Sequence, residues 1–557
     1  MGITRRDFLK GAAAGALTIT AGTLLGCAKD SSEVSSATEE GKTDWLGKEP
    51  EIKDSDIVET IDTDLVIVGA GNGGLLAAAL AADAKMDFHI VEQNSFVCDT
   101  RNWYGAVNSS DCLAAGLSCD KGKMLRDLSR YSSGKNNQKV VKVWLDESAK
   151  MHDYVKAFMD SYGFDCYFEK DTGIETEYYA PAQQHNYIAR EDSEYADVPR
   201  NKLFQMYIEE KGYAIDFNRG LEKLIKKDGK IVGIITGTDE EGKYVQYNAK
   251  NVILAAGGYE GNTDMMEALS PLAVKTTTAC SYFPLNKGMG IKAALWAGAS
   301  MDTESAPMIF DRGAVAPGVN AGYVTSENGT KSFPGTISQF NPGTQPFMKV
   351  NRDGLRFANE SAPYNDIIFA AGNQKGGVYC QIMDGNHKAD WQKFHLMGCA
   401  SLTRVLPDMM EESLEKYVED GIIMKADTLD ELADKLGFEG KSKENFLAQC
   451  DRYNTYYDNG FDEEFYKDPE RLSELRTAPF YGTWLGGSLL CTGDGIQINE
   501  KMQVLDTEKN VIEGLYAIGN NSGSVFANNY PELYPGMACG RTLTFAMKAI
   551  NVITGND

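Results

Sequence analysis

The chain has 557 residues, 43% of them hydrophobic and 24% charged, with a formal net charge of −25 at pH 7. This length allows two or three domains around a large core, and the composition is that of an ordinary globular protein. So acidic a chain is a poor match for nucleic acid or an anionic membrane surface, and neither is expected as a partner.

At the start, Thr4-Arg5-Arg6-Asp7-Phe8-Leu9-Lys10 places an arginine pair ahead of a mildly apolar run, Gly11–Gly26. The run is too short and too rich in Ala, Gly and Thr for a good membrane span. With the arginine pair it reads as a twin-arginine export signal over residues 1–27, a route taken by proteins already folded around a cofactor. Leu24-Leu25-Gly26-Cys27 has the form of a lipobox, which makes Cys27 a candidate lipid anchor; the alternative is a plain signal cut elsewhere. The expectation is an exported, extracytoplasmic protein. Ala28–Asp54 is polar, rich in Ser and Glu and without periodicity, and a flexible linker is assigned to 28–58.

Thr63–Gln93 reads as a buried strand (Leu65–Val68), a glycine-rich turn, a small-residue helix (Leu75–Asp83) and a second strand (Phe88–Val91) ending in Glu92. The turn Gly69-Ala70-Gly71-Asn72-Gly73-Gly74 fits G-x-G-x-x-G. Its glycines allow the tight turn, the approach of a pyrophosphate to the backbone, and the packing of helix on strand. A diphosphate then meets free N–H groups at the positive end of the helix. Glu92, about 20 residues past the turn, is placed to accept ribose hydroxyls, with Gln93 beside it. A dinucleotide site is expected here; the alternative is a turn whose glycines serve packing only.

Phe96–Ser109 is a polar loop expected to meet the dinucleotide through Thr100, Arg101, Asn102 and Gly105; Arg101 could face a phosphate or a substrate acid. Lys121–Tyr162 has the periodicity of two helices. Asp216–Gly242 reads as a short strand, a charged helix (Gly220–Lys227) and a hairpin around Lys227-Asp228-Gly229-Lys230. A second glycine-rich strand exit follows Asn251–Ala255, with Ala256, Gly257 and Gly258, and a third closes Gly514–Asn520, with Gly519 and Asn520. The 11 cysteines form no C-x-x-C pair and no haem-attachment motif, so no metal site is assigned. Of the 5 histidines, His89 falls in a predicted core strand and reads as structural.

These pieces, with Asn286-Lys287-Gly288-Met289-Gly290-Ile291, Val350–Glu360, Lys425–Leu429 through Asn454, and Tyr534–Ala546, make the chain similar to the FAD-dependent fumarate reductase / 3-ketosteroid dehydrogenase superfamily over roughly residues 60–550. The resemblance implies FAD as cofactor and an α/β fold. A discontinuous Rossmann-type FAD-binding domain (59–305 and 486–557) would carry an inserted α+β capping domain (306–485). It adds Gly536 and Met537 to the cofactor-binding residues.

The dicarboxylate reductases of that superfamily hold substrate with two arginines and two histidines. Here Tyr364 follows Asn359-Glu360 where an arginine is expected, Leu490–Thr492 lacks the histidine, and Asn528–Tyr534 replaces the last arginine. Tyr364 and Tyr534 instead resemble the tyrosines of ketosteroid dehydrogenases, and Tyr530 lies nearby. These three are the candidate catalytic residues, although Ala538 stands where the steroid enzymes have glycine. A phenol suits a developing enolate, since it donates a hydrogen bond and ionises only near pH 10. The bland reading, that tyrosines among 27 in the chain merely pack, stays open. Arg352, Arg356 and Glu360 read as residues joining cap to flavin domain, and Asp494 and Arg541 as weaker candidates.

The expected chemistry is hydride transfer from flavin N5 to the C=C of an α,β-unsaturated carbonyl compound (an enone, an aryl acrylate or a steroid-like molecule), with a tyrosine passing the proton. Reduced nicotinamide is a cytoplasmic currency, so electrons are expected from a separate cytochrome c or quinol-linked membrane protein. The alternatives are a 3-ketosteroid dehydrogenase running oxidatively and a non-catalytic electron-relay flavoprotein.

Overall fold

The strand Ile57–Val68 is the centre of the largest sheet in the computed structural model, which describes residues 44–98, 102–170, 183–281, 284–396 and 398–557. It pairs in parallel with Phe88–Val91 on one side and Tyr244–Leu254 on the other. Ile215–Asp216 extends the parallel order at the first edge and Val511–Ala517 at the second. A central parallel strand is covered on both faces, and Leu65, Val66 and Ile67 are fully buried. The helix Asn72–Asp83 covers one face and packs against Arg200–Glu210 and the last helix, Met537–Thr554. Buried alanines at 77, 78, 79 and 81 let these helices approach closely.

The helix starts three residues before the expected Leu75, and the first strand begins well before Leu65. Trp45 packs against the core and the Trp296 indole donates to the Gly47 carbonyl at 3.1 Å. The folded body thus begins inside the stretch assigned to the linker; residues 1–43 lie outside the described ones. The two expected helices are Lys121–Tyr131 and Gln138–Ser161. The expected helix Gly220–Lys227 is instead a strand, Leu221–Lys227, paired antiparallel with Lys230–Gly237. Asp228 and Gly229, at φ 51° and 82°, form a tight turn between them, and cross-strand pairing there overrides a sequence that reads as an amphipathic helix.

A second sheet is built around the 13-residue strand Phe480–Thr492. Thr277–Cys280, Pro307–Val315, Tyr379–Met383 and Ile423–Ala426 all pair with it, and Met348–Val350 pairs with Tyr379–Met383. Because Phe480–Thr492 runs through the expected boundary at 485, it carries Leu490 and Cys491 from the second sheet to the wall of the cleft described next. Among the described residues no helix is long and apolar enough to cross a membrane.

Candidate active site

The three glycine-rich strand exits open into one cleft. Gly69 leaves its strand at φ 105°. A Cβ at Gly74 would stand 1.8 Å from the Gly69 carbonyl oxygen, so this glycine is demanded by helix-on-strand packing. A Cβ at Gly71 would meet nothing within 4 Å, because that side of the turn faces the cleft. This is the open backbone a pyrophosphate requires, at the N-terminus of a 12-residue helix. Glu92 accepts from the Ala70 N–H at 2.8 Å and from the Asn94 backbone and side-chain amides at 2.9 and 2.8 Å, which fixes its carboxylate in the cleft wall. The residues present fit FAD.

Of the expected cofactor residues, Gly69, Gly71, Asn72, Gly73, Glu92, Gln93, Ala256, Gly257, Gly519 and Asn520 line the cleft. Others act one layer back. Ala70 orients Glu92, the Asn102 carbonyl accepts from Arg200 at 2.9 Å, and Gly105 donates its N–H to Gly536 at 2.8 Å. Gly258 leaves room for Thr492 and Glu260, whose atoms a Cβ would meet at 2.2 and 2.7 Å. Met537 is fully buried at the start of the last helix. Thr100 and Arg101 lie outside the described residues. The lining also includes Glu260, Asn286, Lys287, Cys491 and Thr542, which were not singled out. Asn286 stands inside a quoted motif and Glu260 only two residues past Gly258, so a signal is present in the sequence, masked by the glycines around it.

Met308, Ala538 and Cys539 line both this cleft and an adjoining smaller pocket. Trp103, Phe310, Tyr364 and Tyr530 make that pocket aromatic, with Gln184 and Glu532 as its other polar side chains. Tyr364 opens the helix Tyr364–Ala371 and donates its backbone N–H to the Glu532 carboxylate at 2.9 Å. Its ring meets Phe310 edge-on at 4.9 Å, and the buried Arg312 guanidinium lies 5.8 Å from its ring centre. The Tyr530 hydroxyl accepts from the Ala538 backbone N–H at 3.3 Å. The described lining residues include no arginine and no histidine.

Tyr534 is placed differently from the expectation. It does not line the pocket; its hydroxyl donates to Asp127 on the helix Lys121–Tyr131 at 3.0 Å. Burial and the Asp127 charge push its ionisation well up. The chain turns at Gly536 (φ 79°), and a buried phenol needs a partner, which Asp127 supplies behind the pocket wall.

The weaker candidates are structural. Arg356 forks onto Glu360 at 2.7 and 2.8 Å and onto Asp462 at 2.9 and 2.8 Å, with Lys467 3.4 Å from Glu360, so the cluster ties the inserted region to itself rather than to the flavin domain. Arg352 donates to the Val319 carbonyl at 2.6 Å. Arg541 donates to the carbonyls of Gly519 and Ser522 at 2.9 and 3.1 Å and so holds the third glycine exit; burial lowers its pKa to about 10. Asp494 accepts from the Ala306 N–H at 2.8 Å and from Tyr259 at 2.7 Å. His89 pairs with Asp216 at 2.8 Å across two parallel strands, the structural role expected of it.

A parallel sheet with three glycine-rich exits, a dinucleotide cleft and an abutting pocket define a flavoprotein oxidoreductase. The chain belongs to the FAD binding domain family, whose profile matches residues 64–532, and FAD is its cofactor. It is 26% identical over 491 residues to the vinyl phenol reductase of Lactiplantibacillus plantarum, covering 86% of this chain and 93% of that one. It is 30% identical over 365 residues to the 3-oxosteroid 1-dehydrogenase of Mycolicibacterium smegmatis, covering 61% of this chain and 59% of that one. The fold is shared with the 3-ketosteroid Δ1-dehydrogenase of Sterolibacterium denitrificans, at a TM-score of 0.67, with 20% identity over 89% of this chain and 100% of that one.

Proposed function

We propose that this enzyme reduces the C=C bond of a small unsaturated compound conjugated to a carbonyl or a phenol: an enone, an aryl acrylate, a vinyl phenol or a steroid-like ketone. The observation that carries the reading is the pairing of the Tyr530 hydroxyl with the Ala538 N–H beside a residue set shared by the cofactor cleft and the aromatic pocket. Bound FAD supplies the hydride. Trp103, Phe310 and Tyr364 hold a flat conjugated substrate against the shared wall. Ala538 N–H lies in the first turn of the 18-residue helix Met537–Thr554, where the helix dipole favours negative charge. It donates to the Tyr530 oxygen, which leaves the Tyr530 O–H to donate to the substrate oxygen as charge develops there. Tyr364 is the group assigned to deliver the proton to the α-carbon. The absence of arginine and histidine among the described lining residues argues against a dicarboxylate.

The paired arginines and the Cys27 lipobox support an exported, lipid-anchored enzyme that draws electrons from a separate cytochrome c or quinol-linked membrane protein. The similarity to the 3-oxosteroid 1-dehydrogenase favours a second reading, in which the same hydroxyl binds a saturated ketone and the reaction runs oxidatively. One experiment separates them. Turnover of an enone or vinyl phenol with a reduced viologen dye supports the reductase; turnover of a saturated ketone with an electron-accepting dye, and none of the first kind, supports the dehydrogenase.

A further inference from the structure

Glu260 is fully buried, yet it lines the cofactor cleft. Its carboxylate accepts from the Asn286 side-chain amide at 2.5 Å and from the Thr492 N–H at 3.4 Å. Among the described residues, no lysine, arginine or histidine forms an ion pair with it. Thr492 ends the strand that carries Leu490 and Cys491, and Cys491 is the cross-strand partner of Met308. Glu260 is therefore anchored to the part of the cleft wall that leads to the aromatic pocket. Only neutral donors face it, and burial outweighs their hydrogen bonds. Asp494 is reached through the neighbouring Tyr259 and is itself buried. Cys491 is a thiol, and Lys287, Arg219 and Glu92 line the cleft without pairing with Glu260.

Reducing FAD by two electrons adds one proton to the ring system and leaves one net negative charge. In a buried cleft that charge and an ionised Glu260 repel one another with little screening. We infer that Glu260 takes up a second proton from solvent when bound FAD is reduced and gives it back when hydride leaves. Two electrons then enter with two protons and the cleft keeps its charge. Leaving with the hydride are both electrons and one proton, while the Glu260 proton returns to water. Burial already raises the Glu260 carboxyl to about 7 in the resting protein, so in the oxidised state it is largely ionised only above that pH.

The test is the midpoint potential of the purified holoenzyme against pH, by dye-linked potentiometry, for the native chain and Glu260→Gln. Each proton taken up with two electrons contributes about 30 mV per pH unit, one tenfold change in the equilibrium constant. Above about pH 7 the native protein is expected to be steeper than Glu260→Gln by one such tenfold factor per unit. Parallel lines for the two proteins overturn the inference. Should Glu260→Gln fail to hold FAD, the native holoenzyme alone decides: an indicator dye during anaerobic titration with reduced methyl viologen, which gives up electrons without protons, reads two protons consumed per two electrons above that pH if the inference holds, and one if it does not. Neither readout involves substrate, so the outcome is independent of the proposed reaction.

Discussion

The Tyr530 hydroxyl and the Ala538 amide nitrogen stand 3.3 Å apart, and Ala538 belongs to both the cofactor cleft and the aromatic pocket. The amide donates to the phenol oxygen, so the Tyr530 O–H is turned outward as a donor for a substrate oxygen that gains charge. Tyr530→Phe is expected to leave FAD content unchanged and to slow substrate-dependent reoxidation of the reduced flavin by about 10²–10³-fold, the cost of losing one such donor. Stopped-flow absorbance of the flavin checks it.

Tyr534→Phe is expected to behave in the opposite way. Its hydroxyl serves Asp127, so reoxidation should stay within a few-fold of native, while thermal unfolding reports a loss of about 1.5–3 kcal/mol for a hydrogen bond to a charged acceptor. A large kinetic defect with unchanged stability would put Tyr534 back in the reaction.

The two glycines of the first turn separate cofactor binding from folding. Gly71→Val adds bulk where the protein has no neighbouring atom, so the apoprotein should keep its melting temperature and lose FAD. Gly74→Val drives a side chain into the Gly69 carbonyl and should lower the yield of folded protein itself. Melting curves with and without added FAD distinguish the two.

Arg356→Ala leaves Glu360 and Asp462 buried without their fork, and about 3–5 kcal/mol of stability should be lost, as for other broken buried pairs. Burial pushes Glu360 up, but Lys467 and Arg356 outweigh it and hold the carboxyl at about 2. A depressed carboxylate contributes stability above its unfolded value, and that contribution is lost as pH falls through its folded one. The native protein should therefore lose stability from about pH 4.5 down to about 2, and Arg356→Ala should show a shallower loss in that range by denaturant titration.

His89 gives the opposite sign. Its bond to Asp216 raises its pKa above 6.5, burial opposing. The pair stabilises fully below the unfolded value and fades as pH rises through the folded one. His89→Gln should bring the stabilities measured at pH 6 and pH 8 closer together, by a small margin because both side chains are partly exposed.

Much of this architecture is legible in the chain because local and long-range demands coincide at the first turn: strand, glycines, helix and Glu92 each need the others. The tyrosines are harder to read. Tyr530 and Tyr534 sit four residues apart in one loop, and only the turn at Gly536 and the presence of Asp127 on a distant helix decide which phenol faces the pocket. Leu221–Lys227 fails for a similar reason, since its pairing with Lys230–Gly237 and the sheet beyond is tertiary. Glu260 was hidden among glycines, where a motif draws attention to the backbone and away from a side chain.

In the proposed reaction the hydride acceptor lies between aromatic rings and the Tyr530 O–H, which the Ala538 N–H positions. Its most direct test is anaerobic: photoreduce the holoenzyme, then follow flavin reoxidation on adding an enone, a vinyl phenol, an aryl acrylate or fumarate. Rapid, stoichiometric reoxidation by at least one of the first three, and none by fumarate, is the predicted result. Reoxidation by fumarate alone, or by none of the four, would contradict it.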